Sequence, residues 1–314
     1  MEQVPGLPSV RRIIVLADNS AGTRGMLAEH GLALWIELGG HRVLFDTGQG
    51  LVLGPNAGVL GVDLEMTEAV LLSHGHYDHT GGLGEVLRLA RGPRLYAHSA
   101  AFAEKYARNP DGTSRDIGLP GRDDVLARVR DSLVLVDGPA EVTTGLHVTG
   151  PVPRVTAFED TGGAFFLDAA CTRPDPLVDD QAVYFETAAG TVVLLGCGHA
   201  GMINTLLYVR TLTDNRPIRA VIGGMHLRSA SDERVGRTIV ELERMGAPRL
   251  FPCHCTGFTA SARLWHAFPD RCAPCTVGAV VEFDDDPRDV TRAEGRLEPD
   301  RQPDLRWRTT TPER

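Results

Sequence analysis

The chain of 314 residues contains no run of about 18 apolar residues, so we expect no membrane-spanning helix. It has no basic excess either, because 32 Lys and Arg residues stand against 41 Asp and Glu residues, for a net charge of −9. That balance argues against a broad nucleic-acid-binding face but leaves room for a local basic pocket. Six cysteines are too few for a disulfide scaffold in a chain of this size, which favours free thiols or metal ligands.

The first residues, MEQVPGLPSVRR, lack the apolar stretch of a signal peptide. We therefore expect a cytoplasmic protein that acts on a small, anionic molecule, with neither nucleic acid nor membrane as a partner. Nothing in the sequence specifies an oligomeric state.

Short apolar runs alternate with helix-like segments, which predicts a layered α/β architecture. The runs predict strands at 13–16, 32–38, 42–45, 69–72, 133–136, 182–186, 192–195, 220–222 and 250–251, with a hairpin turn at Gly39-Gly40. Helices are predicted at 83–90, 100–107, 202–212 and 232–245.

Two long irregular stretches, 109–121 and 150–180, are rich in residues that break regular structure. Loops of this length usually cover a site or are disordered. Residues 284–314 are dense in charge and proline. We therefore predict one domain at 1–283 and a flexible, charged tail at 284–314.

The segment that carries chemistry is SHGHYDHTGGL, in which an apolar strand runs into a turn with three histidines and one aspartate. His74 and His76 are two residues apart at an extended strand end, so they point to one side and bind one ion. Asp78 and His79, beyond the turn, face a second ion. Imidazole suits zinc and similar metals, and two neighbouring ions activate a water between them. A histidine-rich surface loop is the alternative, but four ligand-type residues at this spacing favour a metal site.

This HxHxDH segment resembles the signature of the metallo-β-lactamase superfamily. AEHGLALWIE, VLFDTG, GPNAGVLGVD, LLGCGHAGMIN, IGGMHL and PCHCTG are similar to a subgroup of 7,8-dihydropterin-6-methyl-4-(β-D-ribofuranosyl)aminobenzene-5′-phosphate synthase-like proteins. These motifs span about residues 13 to 283. The resemblance implies a four-layered αββα sandwich, with the metals at one edge of the paired sheets.

Further site residues follow from the motifs. The resemblance implies that Asp46 lies beneath the metal loop and accepts a ring N–H from a ligating histidine, the alternative being a turn-forming aspartate. His199 lies in a strand–turn–helix context that is typical of a site edge, and we predict a metal ligand there. His254 resembles the last histidine ligand of the superfamily. His226 is predicted to protonate the leaving group. Its alternative roles are a metal ligand, a contact to a substrate phosphate or a buried structural histidine.

The sequence departs from the superfamily pattern in two places. Cys197 stands where many members carry the aspartate that bridges both metals, and it is either a thiolate ligand or an inert buried thiol. Many members also carry an isolated histidine ligand between the HxHxDH segment and that aspartate. In this chain only His98 and His147 lie in that interval, and neither has the usual glycine-rich context. Either His199 supplies the missing ligand, or one acidic side chain does. The acidic candidates are Asp179, Asp180 and Glu159.

Two smaller predictions concern the remaining ligand-type residues. A structural zinc site is one interpretation of Cys253, Cys255, Cys272 and Cys275, but unpaired, reduced thiols are the preferred one. His30, in the EHGLA stretch, and His98 are minor site candidates, whereas His41 and His266 are expected to be surface or packing residues.

Together these features predict a metal-dependent hydrolase. It would use a metal-activated water on an ester, thioester, lactone, amide or phosphodiester bond, with Asp78 and His226 as catalytic residues. The cofactor is expected to be two zinc ions, with manganese or iron as alternatives. A dihydropterin-transferring synthase would use the same ligands and needs a pocket for a flat ring, for which Phe158, Phe165 and Phe166 are the candidates. A non-catalytic ligand-binding protein is the third possibility.

Overall fold

Two β-sheets pack face to face because their strands are apolar on both sides. In the first strand, Ile13 and Val15 enter the core between the sheets, whereas Ile14 and Leu16 face the outer helices. Strands that are buried on both faces need continuous rather than alternating apolar runs, as this sequence has. The computed structural model describes residues 11–284 and, for the backbone only, residues 290–294.

The strands and helices are numbered in chain order. The strands are β1 (Arg11–Ala17), β2 (Ala33–Leu38), β3 (His41–Phe45), β4 (Ala69–Leu71), β5 (Arg94–Ala97), β6 (Tyr106–Arg108), β7 (Ser114–Asp116), β8 (Leu133–Leu135), β9 (Ala140–Thr143), β10 (Leu146–Val148), β11 (Phe165–Phe166), β12 (Ala182–Thr187), β13 (Gly190–Leu195), β14 (Ile218–Gly224), β15 (Arg249–Cys253), β16 (Ala279–Phe283) and β17 (Val290–Glu294). The α-helices are α1 (Leu53–Leu60), α2 (Tyr77–Thr80), α3 (Leu83–Leu89), α4 (Arg122–Val129), α5 (Met202–Leu212), α6 (Asp232–Arg244) and α7 (Phe258–Ala267). Short 3₁₀ turns lie at Leu64–Met66, Ser99–Phe102 and His254–Thr256.

Three sheets organise the described residues. The larger sheet has the order β17-β16-β1-β2-β3-β4-β5-β8, the second β15-β14-β13-β12-β10-β9, and a small third sheet β11-β6-β7. Helices α1, α3 and α4 pack on the outer face of the larger sheet, and α5, α6 and α7 on that of the second. The expected four-layered αββα sandwich is confirmed.

Most predicted elements are present, with ends that differ by a few residues. The predicted helix at 100–107 is wrong, because the helical turn stops at Phe102 and the chain extends into β6. β6 pairs with β7 and β11, and Lys105 beside it is fully buried between Asp175 and Asp179. These tertiary contacts override the local helix propensity of the alanine-rich segment.

The two predicted irregular stretches each contain a strand, β7 in 109–121 and β11 in 150–180. The sequence analysis did not predict α1, α4 and α7. Of the predicted tail at 284–314, residues 285–289 and 295–314 lie outside the described residues, and the segment between them forms β17. Within the described part of the chain, no helix is both long enough and apolar enough to cross a bilayer.

The core between the sheets supplies the first prediction. Leu194, the last residue but one of β13, is fully buried, so Leu194→Ala is expected to lower the free energy of unfolding by about 2 to 5 kcal/mol. Val240→Ala on α6, where the side chain is 43% exposed, should change it by less than about 0.5 kcal/mol. Urea denaturation at one fixed metal concentration measures both variants. Equal effects would show that Leu194 does not belong to the cooperative core.

Candidate metal centre

The candidate site lies at the carboxyl ends of parallel strands. β3 and β4 are parallel neighbours in the larger sheet, and β13, β14 and β15 in the second. Open α/β sheets bind ligands at such strand ends, because the loops there converge from several strands. The residues that follow these strands include Asp46, His74, His199, His226 and His254.

One group of candidate ligands consists of His74, His76 and His199, whose ligand atoms all lie within 4.8 Å of one another. His74 Nε2 is 2.9 Å from His76 Nδ1. His199 Nδ1 donates to the carbonyl oxygen of Thr161 at 2.8 Å, so its Nε2 carries a lone pair, and that atom is buried with no hydrogen-bond partner. Burial lowers the pKa of all three histidines well below 6.5, which keeps them neutral, as metal binding requires.

A second group surrounds the Asp78 carboxylate. Asp78 Oδ2 lies 3.4 Å from His254 Nε2 and 3.8 Å from His79 Nε2, and those two nitrogens are 3.1 Å apart. His30, a minor candidate from the sequence, also contacts Asp78 Oδ2 at 3.2 Å. Burial opposes ionisation of Asp78, but His79, His254 and His30 outweigh it and hold its pKa well below the usual range.

Cys197 lies between the two groups. Its Sγ is 3.1 Å from His79 Nε2 and 3.4 Å from His254 Nε2, and it also forms a ligand group with His74 and His79. Burial raises the pKa of this thiol well above its ordinary value, so a neighbouring cation is needed to favour the thiolate. The sequence analysis left a thiolate ligand and an inert buried thiol open for Cys197, whose contacts put it within reach of both groups.

Asp46 holds the metal loop from below. Its two carboxylate oxygens accept hydrogen bonds from Ser73 N and Ser73 Oγ, both at 2.7 Å, and from His79 Nδ1 at 2.6 Å. Because Ser73 Oγ donates to Asp46, it accepts from His74 Nδ1 at 2.9 Å. The same carboxylate thus directs the Nε2 atoms of both histidines into the site. Burial lowers the pKa of His79, but Asp46 and Asp78 outweigh burial and raise it to about 9.

His254 is oriented by the segment that directly follows β1. Its Nδ1 donates to Asn19 Oδ1 at 2.9 Å, and its backbone N–H donates to Asp18 Oδ1 at 2.7 Å. His254, Asp46 and His226 have φ values of 50°, 60° and 45°, a left-handed conformation that is unfavourable for residues other than glycine. Such strain persists where surrounding contacts fix it, and it clusters at functional sites.

Both ligand groups open on a cavity of about 170 Å³, here called the metal cavity, which Phe165 and His226 also line. The His226 ring lies 4.2 Å from that of His199, and its Nε2 is 3.3 Å from the carbonyl oxygen of Gly162. Two arginines, Arg115 and Arg228, also line it, and Asp78 is the only acidic residue of its lining.

The alternative ligands from the sequence have other partners. Asp179 accepts from Gly75 N and pairs with Lys105, and Glu159 accepts from Ile203 N and Asn204 N. Asp180 accepts from Ala200 N, and its burial raises its pKa to about 7. His98 accepts from Ala100 N, and His147 stacks on Tyr184. Of the alternatives considered, only His199 joins a ligand group.

The cysteines divide between two places. All six are free thiols, as preferred from the sequence, and Cys253, Cys255, Cys272 and Cys275 do not form a ligand group of their own. Cys255 instead joins Cys197 and His254. The sequence analysis did not predict roles for Ser73, Asn19 and Thr161, although Ser73 adjoins the HxHxDH segment.

The three phenylalanines do not form one ring pocket. Phe165 packs on His76 with ring centroids 5.0 Å apart, Phe166 lies beneath the Arg108 guanidinium, and Phe158 lines a separate cavity near Asp160. Among the described residues, Phe158, Phe165 and Phe166 therefore do not form the pocket for a flat ring that the sequence analysis expected.

Comparisons with known proteins agree on the family. The sequence profile of the metallo-β-lactamase superfamily matches residues 28–254. An uncharacterised protein of Methanocaldococcus jannaschii is 33% identical over 80% of this chain and 93% of its own length. The 7,8-dihydropterin-6-methyl-4-(β-D-ribofuranosyl)-aminobenzene-5′-phosphate synthase of the same organism is 26% identical over 87% of this chain and 96% of its own. The crystal structure of Tm1679, a metal-dependent hydrolase of the β-lactamase superfamily, has a TM-score of 0.75 and 32% identity, covering 88% of this chain and 100% of that one.

Asp46→Asn tests whether the carboxylate orients the ligands. An amide cannot accept all three hydrogen bonds, so we expect metal affinity to fall by about 10- to 100-fold. Competition with a chromophoric chelator measures this affinity. Asp123→Asn, at a side chain that is 87% exposed, is the matched control and should leave it unchanged. Wild-type affinity in Asp46→Asn would mean that Asp46 only forms a turn.

Proposed function

This chain belongs to the metallo-β-lactamase superfamily, and from that premise we propose that it is a metal-dependent hydrolase of a small molecule. The bond cleaved would be an ester, thioester, lactone, amide or phosphodiester. The observation that carries the proposal is that His74, His76 and His199 form one buried group, that Asp78, His79 and His254 lie within 3.8 Å of one another in a second, and that members of both groups line one cavity.

His74, His76 and His199 are proposed to hold one ion, and Asp78, His79 and His254 a second. The buried, partnerless Nε2 of His199 supports the assignment, because a buried acceptor without a partner is unfavourable unless a cation completes it. An imidazole-rich set with one carboxylate suits zinc, with manganese or iron as alternatives. When bound, two such ions would supply a water that is nucleophilic at neutral pH and would stabilise negative charge on the oxygen under attack.

Two side chains of the metal cavity complete the proposed chemistry. Asp78 is ionised and lines the cavity, so its carboxylate accepts a hydrogen bond from the attacking water and orients it. His226 lines the same cavity and donates a proton to the leaving group. Burial lowers the pKa of His226, but Cys255 and the Gly162 carbonyl outweigh it and raise the pKa, which favours the protonated form that a general acid needs.

A second candidate is the transfer of a dihydropterin group, which the similarity to the named synthase favours. A panel of ester, lactone and phosphodiester substrates, run beside a pterin alcohol pyrophosphate with an aromatic amine, separates the two. Metal loading without turnover in either panel would contradict both and favour a ligand-binding protein.

Metal content tests the ligand assignment directly. We expect about two metal equivalents in the purified protein and about one after His199→Ala, since a group of three ligands loses one member. Elemental analysis by mass spectrometry measures both. His41→Ala is the matched control, because His41 is the first residue of β3, at the end of the strand opposite to Asp46, and pairs with Glu68, so its loss should not change metal content. One equivalent in both the wild type and His199→Ala would overturn the two-ion assignment.

His226→Gln separates proton donation from metal binding. Loss of a general acid is expected to lower kcat by about 10²- to 10⁴-fold at unchanged metal content. Steady-state kinetics on esters with leaving groups of rising pKa provide the readout, because leaving groups of low pKa need no proton and should be least affected. A uniform loss across the series, or a loss of metal, would instead make His226 a ligand or a structural residue.

A further inference from the structure

A second cavity adjoins the metal cavity on the far side of His254. It has a volume of about 810 Å³, and His254 and Arg228 line both cavities. One wall is the α7 face that carries Phe258, Ser261, Ala262 and Trp265, and the other is the segment 272–276. We call it the α7 cavity. The two cavities therefore share part of their walls, and the α7 cavity is much larger than the metal cavity, which has about 170 Å³.

The α7 cavity contains an exposed aromatic surface. Phe258 is 90% exposed and Trp265 is 45% exposed. They are seven residues apart on a helix, about two turns, so they lie on one face. Among the described residues, no other Phe, Tyr or Trp side chain is exposed to this degree. Tryptophan and phenylalanine bury large areas and stack on flat rings, so this face favours an aromatic ligand.

Arg228 supplies a positive charge at the junction of the two cavities. Its guanidinium forms no ion pair with any carboxylate of the described residues, and its backbone N–H is bound to the carbonyl of Cys255. The acidic residue of the α7 cavity, Asp18, is engaged at both oxygens, by His254 N and Ser20 N. An anionic group that enters this junction therefore meets an arginine that is available for bidentate binding.

The floor of the α7 cavity connects to the ligand side chains. Asn19 lines the cavity and accepts the Nδ1 proton of His254. A molecule in the α7 cavity thus lies against residues that position a proposed metal ligand, as expected for one end of a substrate whose other end reacts.

We infer that the α7 cavity binds the aromatic ring system of the substrate, with an anionic group of the same molecule on Arg228 and the reacting bond in the metal cavity. The binding of an aromatic ring and an anionic group follows from Trp265, Phe258 and Arg228. Only the statement that this ligand is the substrate rests on the proposed function.

Calorimetric titration of the full chain with 2-naphthoate tests the inference without any need for turnover. Trp265→Ala is expected to weaken 2-naphthoate binding by about tenfold. Trp265→Phe should restore most of the affinity, because stacking needs an aromatic side chain but not specifically an indole. Arg228→Gln should weaken 2-naphthoate but not 2-naphthalenemethanol, which has the ring without the charge. Leu135→Ala, an exposed residue of β8, is the control and should bind as the wild type does.

Three further outcomes would overturn the inference, and a fourth would overturn only the proposed function. Binding that is unaffected by Trp265→Ala, in both zinc-loaded and metal-free protein, would show that the carboxylate binds elsewhere. A dimer in light scattering that Trp265→Ala dissociates would make the cavity an interface between copies. Photo-crosslinking from p-benzoylphenylalanine at position 265 to residues 295–314 would make the chain itself the occupant. Retained naphthoate binding in a protein that hydrolyses no substrate would overturn the proposed function alone.

Discussion

The buried Asp46 carboxylate is the interaction on which the candidate site depends. It lies at the end of β3 and accepts three hydrogen bonds from the loop that follows β4, two from Ser73 and one from His79. A fully buried carboxylate without hydrogen-bond partners is strongly unfavourable, so the loop and the carboxylate stabilise each other. Through Ser73, the same group fixes the ring of His74. The left-handed backbone of Asp46, which is unfavourable by itself, is maintained by these contacts.

The same principle extends to the other ligand-type histidines. His199 and His254 each donate Nδ1 to a fixed acceptor, Thr161 or Asn19, and thereby direct Nε2 inward. Burial lowers the pKa of His74, His76 and His199, and neutral imidazoles packed this closely offer lone pairs to one another. That arrangement becomes favourable when a cation lies between them, so burial prepares this group for metal. Cys197 lies between this group and the one around Asp78.

The small third sheet supports the site from outside the sandwich. Lys105, beside β6, is fully buried and pairs with Asp175 and Asp179, and Asp179 in turn accepts from Gly75 N in the metal loop. Phe165 of β11 packs on His76. A buried charge is tolerated only when it is fully paired, so this network ties the irregular stretch at 150–180 to the ligands. The stretch covers the site, which is one of the two possibilities that its length suggested, but its phenylalanine rings lie apart and form no common pocket. The exposed aromatic surface lies on α7 instead.

The sequence alone was enough to predict the layered architecture and the central cluster at His74, His76, Asp78 and His79. Both signals are local, since strand runs and ligand spacing depend on neighbouring residues. Only the tertiary structure brought His199 to the first group and His254 to the second, because strand order decides which distant loops share an edge. The predicted helix at 100–107 failed for the same reason: pairing of β6 and burial of Lys105 with two aspartates are long-range interactions. The partners that fix each imidazole, among them Asn19 and Thr161, have no sequence signature, since any correctly placed oxygen can accept the proton.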